Sequence, residues 1–348
     1  MSAPAEVVRL QQDRAPQASG LVLFGLLIFL IGSPKGPPGA VASDLHHEFS
    51  EANALKDGSA CDEAVLRYQE LVDQAPPGHE LVPPARYNQA VCFEELHLPA
   101  AALETHRMVS GDKDAPRSLR ADAGFRAGLI LVALGEDREA RRTLRPLART
   151  LGSPEREVVV VHLAWIDART GKRRAAARAL KQAVPVLESA FEDERPELAP
   201  HLAVASLAMG DVVAGEALGV EFRGRADSVR DALNRVGETV EAANSYYLDA
   251  IRYGDPTWAA AAALRLGGLF VEFHARFGEL RAGIEPRPRP GWSKGEAAAM
   301  SVWLSDRLEP LFSRAREAYE LCSRLPERTG TDNRFTRECT ARLAVPPF

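Results

Sequence analysis

The chain is short of several things. Aromatic residues make up only 7% of its 348 residues, and Lys is scarce beside abundant Ala and Arg. That balance suits helices and argues against sandwiches and barrels, whose strands draw on aromatic and β-branched residues. Positive charge is not in excess, since the formal net charge is −5. A general nucleic-acid or anionic-membrane binder is therefore not expected. No C-x-x-C occurs among the four cysteines, so thiol exchange and zinc chemistry are not expected. No G-x-G-x-x-G, P-loop or G-x-S-x-G spacing is present either. An apolar share of 46% and a charged share of 26% fit a folded chain, long enough for one extended domain or two compact ones.

The longest apolar run is LVLFGLLIFLIG (21–32). Its length falls below the roughly 20 residues of a bilayer-spanning helix and matches the core of a secretory signal. SPKGPPG follows, and then Ala40-Val41-Ala42, a small-x-small cleavage pattern. Residues 1–42 read as a signal peptide with Ser43 as the mature N-terminus, or as an uncleaved N-terminal anchor. Both place the body of the chain in the periplasm or cell envelope. Export permits disulfides. Nearness in sequence favours Cys61–Cys92 and Cys322–Cys339, and four buried thiols are the alternative.

Small residues recur at a fixed spacing. Ala52/Ala64, Ala90/Ala102, Gly128/Ala140 and Ala164/Ala176 are pairs twelve apart, and successive pairs step by 38, 38 and 36 residues. A small residue on each of two antiparallel helices lets their backbones approach, and larger residues four and seven positions later fill the next groove. Those larger residues include Tyr68, His106, Leu144 and Leu180. Gly135 and Gly171 fall at the turns between helices, where a left-handed C-cap favours glycine.

With small residues at positions 8 and 20, Gly near 15 and an aromatic or aliphatic at 24, this pattern resembles the tetratricopeptide repeat family. Gly128, Gly135 and Ala140 match in one unit, and Ala164, Gly171, Ala176 and Ala183 in the next. The Trp of position 4 is missing throughout, and the spacing exceeds the standard 34 residues. The resemblance implies an all-α fold: a right-handed α-solenoid of about five to six helix pairs with a C-terminal capping helix. Residues 43–194 would hold the regular repeats and 195–348 degenerate ones. In the latter, Ala203 and Gly210 mark a fifth pair ending near Phe222, followed by one long helix over 224–253. A further helix begins at Pro256, and its partner is expected only at Ala315, Tyr319 and Cys322, beyond a Pro-rich insertion at 283–296. A final amphipathic helix, 333–343, should close the array. The tail from Arg252 onward also resembles the C-terminal module of envelope-associated proteins of this family from gliding bacteria.

The resemblance further implies that the first helix of each pair lines a concave, protein-binding groove. Carried over, its outward positions are Tyr87, Val91, Glu94 and Glu95, then Phe125, Leu129 and Val132, then Val161, Trp165 and Arg169, then Val204 and Leu207. This stripe would accept a helix or extended peptide, with Trp165 its strongest anchor. Alternatively these residues are core, covered by the 224–253 helix or by the chain's own tail. The Lys and Asn set with which chaperone-type repeats hold a carboxylate is absent. The insertion offers a second protein-binding candidate in Arg287, Arg289 and Trp292, the alternative being a disordered excursion.

These features favour an exported scaffold that binds a protein partner in an envelope assembly for motility, division or secretion. The alternative is a cell-wall glycan binder acting through the basic run Arg169, Lys172, Arg173, Arg174, Arg178 and Lys181. No catalytic residues, metal site, small-molecule cofactor or nucleic-acid partner is expected. His46-His47-Glu48 would be the one metal candidate, but adjacent histidines face different sides of a helix and a solvated helix is the better reading.

Overall fold

The computed structural model describes residues 38–284 and 289–345, and every regular element among them is helical. The expected signal segment lies outside the described residues up to position 37, as do Arg287 and the last three residues. The described helices divide into two compact units, one ending at Leu147 and one beginning at Ala148.

The first unit holds three helix pairs: α1 (Pro38–Asp57) with α2 (Cys61–Gln74), α3 (Val82–Glu95) with α4 (Pro99–Gly111), and α5 (Arg117–Leu134) with α6 (Asp137–Leu147). The second holds α7 (Glu155–Arg169) with α8 (Arg173–Glu192), α9 (Ala199–Leu218) with α10 (Ala226–Arg252), and α11 (Pro256–Ile284) with α12 (Lys294–Ser323). A short helix α13 (Leu325–Thr329) then leads to α14 (Arg334–Leu343), which packs on α11 and α12 and closes the array. The fold is thus an all-α array of six tetratricopeptide-like pairs. At the turns, Gly135 and Gly171 take left-handed backbone angles, with φ of 86° and 85°.

The twelve-residue spacing works as the pattern predicts. Ala52, Ala64, Ala90, Ala102, Ala140 and Ala176 are fully buried where paired helices cross. The residue sixteen after each first-helix small residue plugs the gap: Tyr68, His106, Leu144 and Leu180 are all buried. The same plug recurs in the longer pairs. A Cβ on Gly210 would lie 2.5 Å from Tyr247 Cε1, and one on Gly267 would lie 2.5 Å from Tyr319 Cε1. Each ring therefore rests directly on glycine backbone, a contact any larger residue would block.

This geometry corrects the phase of the fifth unit. Ala203 and Gly210 are not the two small residues of a helix pair ending near Phe222. They sit seven apart on one twenty-residue helix, α9, whose partner is the long helix α10. Gly210, under Tyr247, is its position 8. The spacing that sequence read as a helix pair is two turns of one helix.

The repeats lengthen from residue 199 because their helices lengthen: α10, α11 and α12 have 27, 29 and 30 residues. Helix reaches into both ends of the expected insertion. α11 runs on to Ile284, and α12 begins at Lys294 behind a capping box. The Glu296 backbone N–H donates to Ser293 Oγ at 3.1 Å, and the Ser293 N–H donates to Glu296 Oε2 at 2.7 Å. Over 196–218 the chain is long and apolar enough to cross a membrane, but two thirds of that apolar window (67%) is buried within the protein.

Two disulfides staple the array. Cys61–Cys92 joins α2 to α3 with a Cα–Cα distance of 5.0 Å, and Cys322–Cys339 joins α12 to α14 at 6.0 Å. Both are the pairings that nearness in sequence favours.

Candidate functional site

The expected groove stripe takes different forms in the two units. In the first, Tyr87, Val91, Phe125 and Leu129 are half-buried on α3 and α5, while Val132 is buried. Glu94 is half-buried and faces inward electrostatically. It accepts from His106 at 2.8 Å and from Arg126 at 3.1 Å, and Arg126 Nε also donates to the Tyr87 hydroxyl at 3.0 Å. Burial works against the Glu94 charge, but the His106 hydrogen bond and the Arg126 charge outweigh it and hold the carboxyl below its usual value. Tyr87 and Glu94 therefore tie α3 to α4 and α5.

In the second unit the stripe is not open. Val161, Val204 and Leu207 are fully buried, and Trp165 keeps 2% of its surface exposed. The Trp165 ring packs edge-on to Trp258 at 5.2 Å and lies 6.4 Å from Phe335 of α14. The chain's own closing helix has come in over the concave face, so Trp165 is no free anchor. Trp258 and Phe335 satisfy its apolar surface.

What remains open is a cleft of about 730 Å³ on the concave side of this unit. Its walls are the first helices of three successive pairs, and α14 closes one side. α7 supplies Trp165 and Arg169, α9 supplies Asp211 and Leu218, and α11 supplies Leu264, Arg265, Gly268 and Glu272. Tyr247 and Tyr319 reach it from the second helices, and Arg334, Phe335, Glu338 and Arg342 from α14.

Asp211 is the hub. Its side chain is 1% exposed and accepts three donors from three other helices. Arg265 Nε donates to Oδ1 at 2.7 Å, the Tyr247 hydroxyl donates to Oδ1 at 2.8 Å, and Trp165 Nε1 donates to Oδ2 at 3.2 Å. The charge is thus paired and hydrogen-bonded, the condition for burying a carboxylate. The nearby Asp211 charge raises the Arg265 pKa further, and burial followed by Asp211 pushes the Tyr247 phenol well above its usual value. Arg169 lies over the Trp165 ring, its Cζ 3.9 Å from the centroid. Arg334 lies over Phe335 at 4.4 Å, and Arg342 pairs with Glu338 at 2.9 Å.

The sequence reading missed Asp211 because it phased the fifth unit on Ala203 and so chose Val204 as the groove residue. Phased on Gly210, position 9 is Asp211, equivalent to Trp165 in the unit before and Gly268 in the unit after. A signal was available. Asp211 is the one charge in the apolar stretch LAVASLAMGDVVAG (202–215), and a carboxylate there must find a partner.

Beside the cleft, His162 is buried, with Nε2 3.2 Å from His201 Nδ1 and its ring edge-on to Trp258. Burial, with His201 and Arg169 adding to it, depresses the His162 pKa well below the usual value, and burial takes His201 to about 4. Among the described residues no three His, Cys, Asp or Glu side chains converge as metal ligands.

The insertion's candidate residues are spent inside the molecule. Arg289 donates to the Phe222 carbonyl at 2.6 Å, and Trp292 is 7% exposed and donates to the Gly224 carbonyl at 2.9 Å. Arg276 donates to the Ala217, Leu218 and Val220 carbonyls at the end of α9. Together they bind down the loop between α9 and α10. An exposed cationic strand is therefore not what Arg289 and Trp292 form, because the loop carbonyls of Phe222 and Gly224 take these donors. The basic run is partly engaged as well, since Lys172 lies 3.7 Å from Asp167.

No known protein-family model matches this chain, and no curated protein matches it. Among solved structures it is similar to the tetratricopeptide repeat domain of P58(IPK), at 16% identity, covering 86% of this chain and 97% of that one. The TM-score is 0.27, too slight a likeness to carry an argument. The repeat fold rests instead on the packing described above. The closer resemblance to proteins of gliding bacteria finds no support.

Proposed function

We propose that this chain is an exported scaffold that holds a protein partner in a cell-envelope assembly, and that it does so through the concave cleft of the second unit. The observation that carries this reading is the cleft itself. It is walled by the first helices of three successive pairs and mixes an aromatic floor with stacked guanidiniums. Such aromatic and Arg-rich concavities are where binding energy concentrates in protein interfaces. The apolar run at 21–32, the small-x-small pattern before Ser43 and the two disulfides support export.

The test is cross-linking in intact cells with mass spectrometry, comparing the native chain with Gly268→Leu. A Cβ at Gly268 meets only the Tyr319 hydroxyl, at 3.9 Å, so a longer side chain there enters the cleft without disturbing the core. One envelope protein should be captured by the native chain and lost from the variant. Capture of no protein, or capture indifferent to Gly268→Leu, would overturn the reading. The same material yields the mature N-terminus, expected at Ser43.

A further inference from the structure

We propose that a second site, on the face of α9 turned away from the cleft, takes a cationic side chain, lysine or arginine, from a partner protein. It depends neither on the cleft nor on the cleft's occupant. Helix geometry separates the two places. Leu202, Ala205, Ser206 and Met209 lie along one face of α9, whereas Asp211, Ala214 and Leu218 of the cleft lie along the opposite face. The first set floors a cavity of about 530 Å³ bounded by α8, α9 and the end of α10.

Three aromatic side chains line this cavity: Phe191 from α8, Tyr246 from α10 and Tyr253 just beyond the end of α10. Phe191 and Tyr253 meet edge-on, with centroids 6.2 Å apart and planes at 84°. Two rings at right angles form a corner, so a guest there meets ring surface on two sides. Ring faces are negative and attract cations. Among the described residues no guanidinium or ammonium lies over any of the three rings, whereas Arg169 and Arg334 already cover the cleft's Trp165 and Phe335.

The charged groups of the cavity are Glu188, Asp249 and Arg252. Arg252 donates to Asp249 at 2.7 Å, so that pair balances itself. Glu188 has no hydrogen bond or ion pair among the described residues, and it leaves the cavity net negative. Burial and then the Glu188 and Asp249 charges raise the Tyr253 pKa, which keeps this phenol neutral. The Tyr246 and Tyr253 hydroxyls have no hydrogen-bond partner among the described residues either.

These groups together select the guest. The apolar floor suits the methylene stem of lysine or arginine, and the aromatic corner suits the charge at its end. The free carboxylate and the two phenol oxygens accept N–H donors. A quaternary amine would match the rings but has no donor for those oxygens. An anionic guest would meet Glu188 as a like charge.

The test is titration of the full chain, followed by saturation-transfer NMR, with the acetylated, amidated peptides Ser-Leu-Lys-Leu-Ser, Ser-Leu-Arg-Leu-Ser and Ser-Leu-Gln-Leu-Ser. They differ only at the central residue. The Lys and Arg peptides should bind about fivefold or more tightly than the Gln peptide, as one exposed ion pair and a cation–π contact together provide. Added salt should erode the preference. Glu188→Gln, at an exposed position where the fold is spared, should reduce it about threefold, as should Tyr253→Leu. Equal affinity for all three peptides overturns the proposal, as does a preference that Glu188→Gln leaves unchanged. Choline that displaces the Lys peptide as readily as the free Lys peptide does would overturn the assignment to a donor-bearing cation. Should Tyr253→Leu fail to fold, Glu188→Gln and the native-chain comparison still decide.

Discussion

Two adjacent glycines in the middle of α11 should respond to alanine with opposite signs. At Gly267 a Cβ would lie 2.5, 2.7 and 2.8 Å from three ring carbons of Tyr319, which is 1% exposed. Ordinary carbon contacts are about 3.5–4.0 Å, so the ring must retreat by about 1 Å into a filled core. Such overpacking costs roughly 1–3 kcal/mol. Relief of glycine's poor helix propensity returns about 1 kcal/mol, leaving a net loss of about 1–2 kcal/mol at the upper part of the overpacking range. At Gly268 the Cβ meets only the Tyr319 hydroxyl at 3.9 Å, so the propensity gain stands alone. The two variants should therefore differ by about 2–3 kcal/mol, a Tm gap of roughly 5–10 °C for a unit of this size. Urea denaturation followed by helical circular dichroism measures it. In a double-mutant cycle, Tyr319→Ala should cost less in the Gly267→Ala background than in the native one. A Gly267→Ala variant as stable as Gly268→Ala would refute the claim that the Tyr319 ring rests directly on the Gly267 backbone.

Acid should weaken the second unit before it weakens the first. His201 has its pKa lowered to about 4 from an ordinary 6.5, and His162 is also held well below its usual value. Neutral imidazole is the folded form, so this stability is complete above pH 6.5 and falls as pH drops toward 4, with about 3 kcal/mol linked to His201. Urea midpoints at pH 7.5, 6 and 4.5 should fall steeply for the native chain and less for His201→Gln, and parallel slopes would contradict this. Asp211→Ala should cost about 2–3 kcal/mol, below the usual figure for a broken buried pair because Arg265 stays half-exposed, whereas Glu272→Ala on the rim should be near neutral. Opening the Cys322–Cys339 loop with Cys339→Ser should cost about 3 kcal/mol by chain entropy, visible as a lower urea midpoint that reductant does not lower further at this site. Trp292→Ala should raise proteolytic nicking around 219–225, because the Gly224 carbonyl loses its donor; an unchanged digestion pattern would argue that Arg289 and Arg276 hold the loop alone.

Most of the fold was written in local spacing. Small residues twelve apart, with a large one sixteen after the first, need only helix geometry to be read, and the pairing of α1 through α8 follows from it. The plugs Tyr247 and Tyr319 and both disulfide pairings were also legible, because Ala243, Tyr247 and Ala250, like Ala315, Tyr319 and Cys322, keep second-helix register whatever separates them from their partners. The Ser293–Glu296 capping box was in the sequence too, within the stretch taken for an insertion, and it announces a helix start.

Phase and occupancy were not legible. Ala203 and Gly210 share one helix face, so periodicity alone fits a repeat on either; only the Tyr247 ring seated on Gly210 decides, and with it the choice of Asp211 over Val204 as the groove residue. Whether Trp165 is an anchor or core depends on Phe335, 170 positions away in sequence, coming in over it. Arg289 and Trp292 look like a free cationic strand until the carbonyls of 222 and 224 are brought beside them. The sequence by itself determined which segments become helices and how neighbours pair, since those are interactions within one or two turns. Which face stays open, and which arginines line it, was decided only by tertiary structure, because each depends on surfaces contributed by segments far apart in the chain.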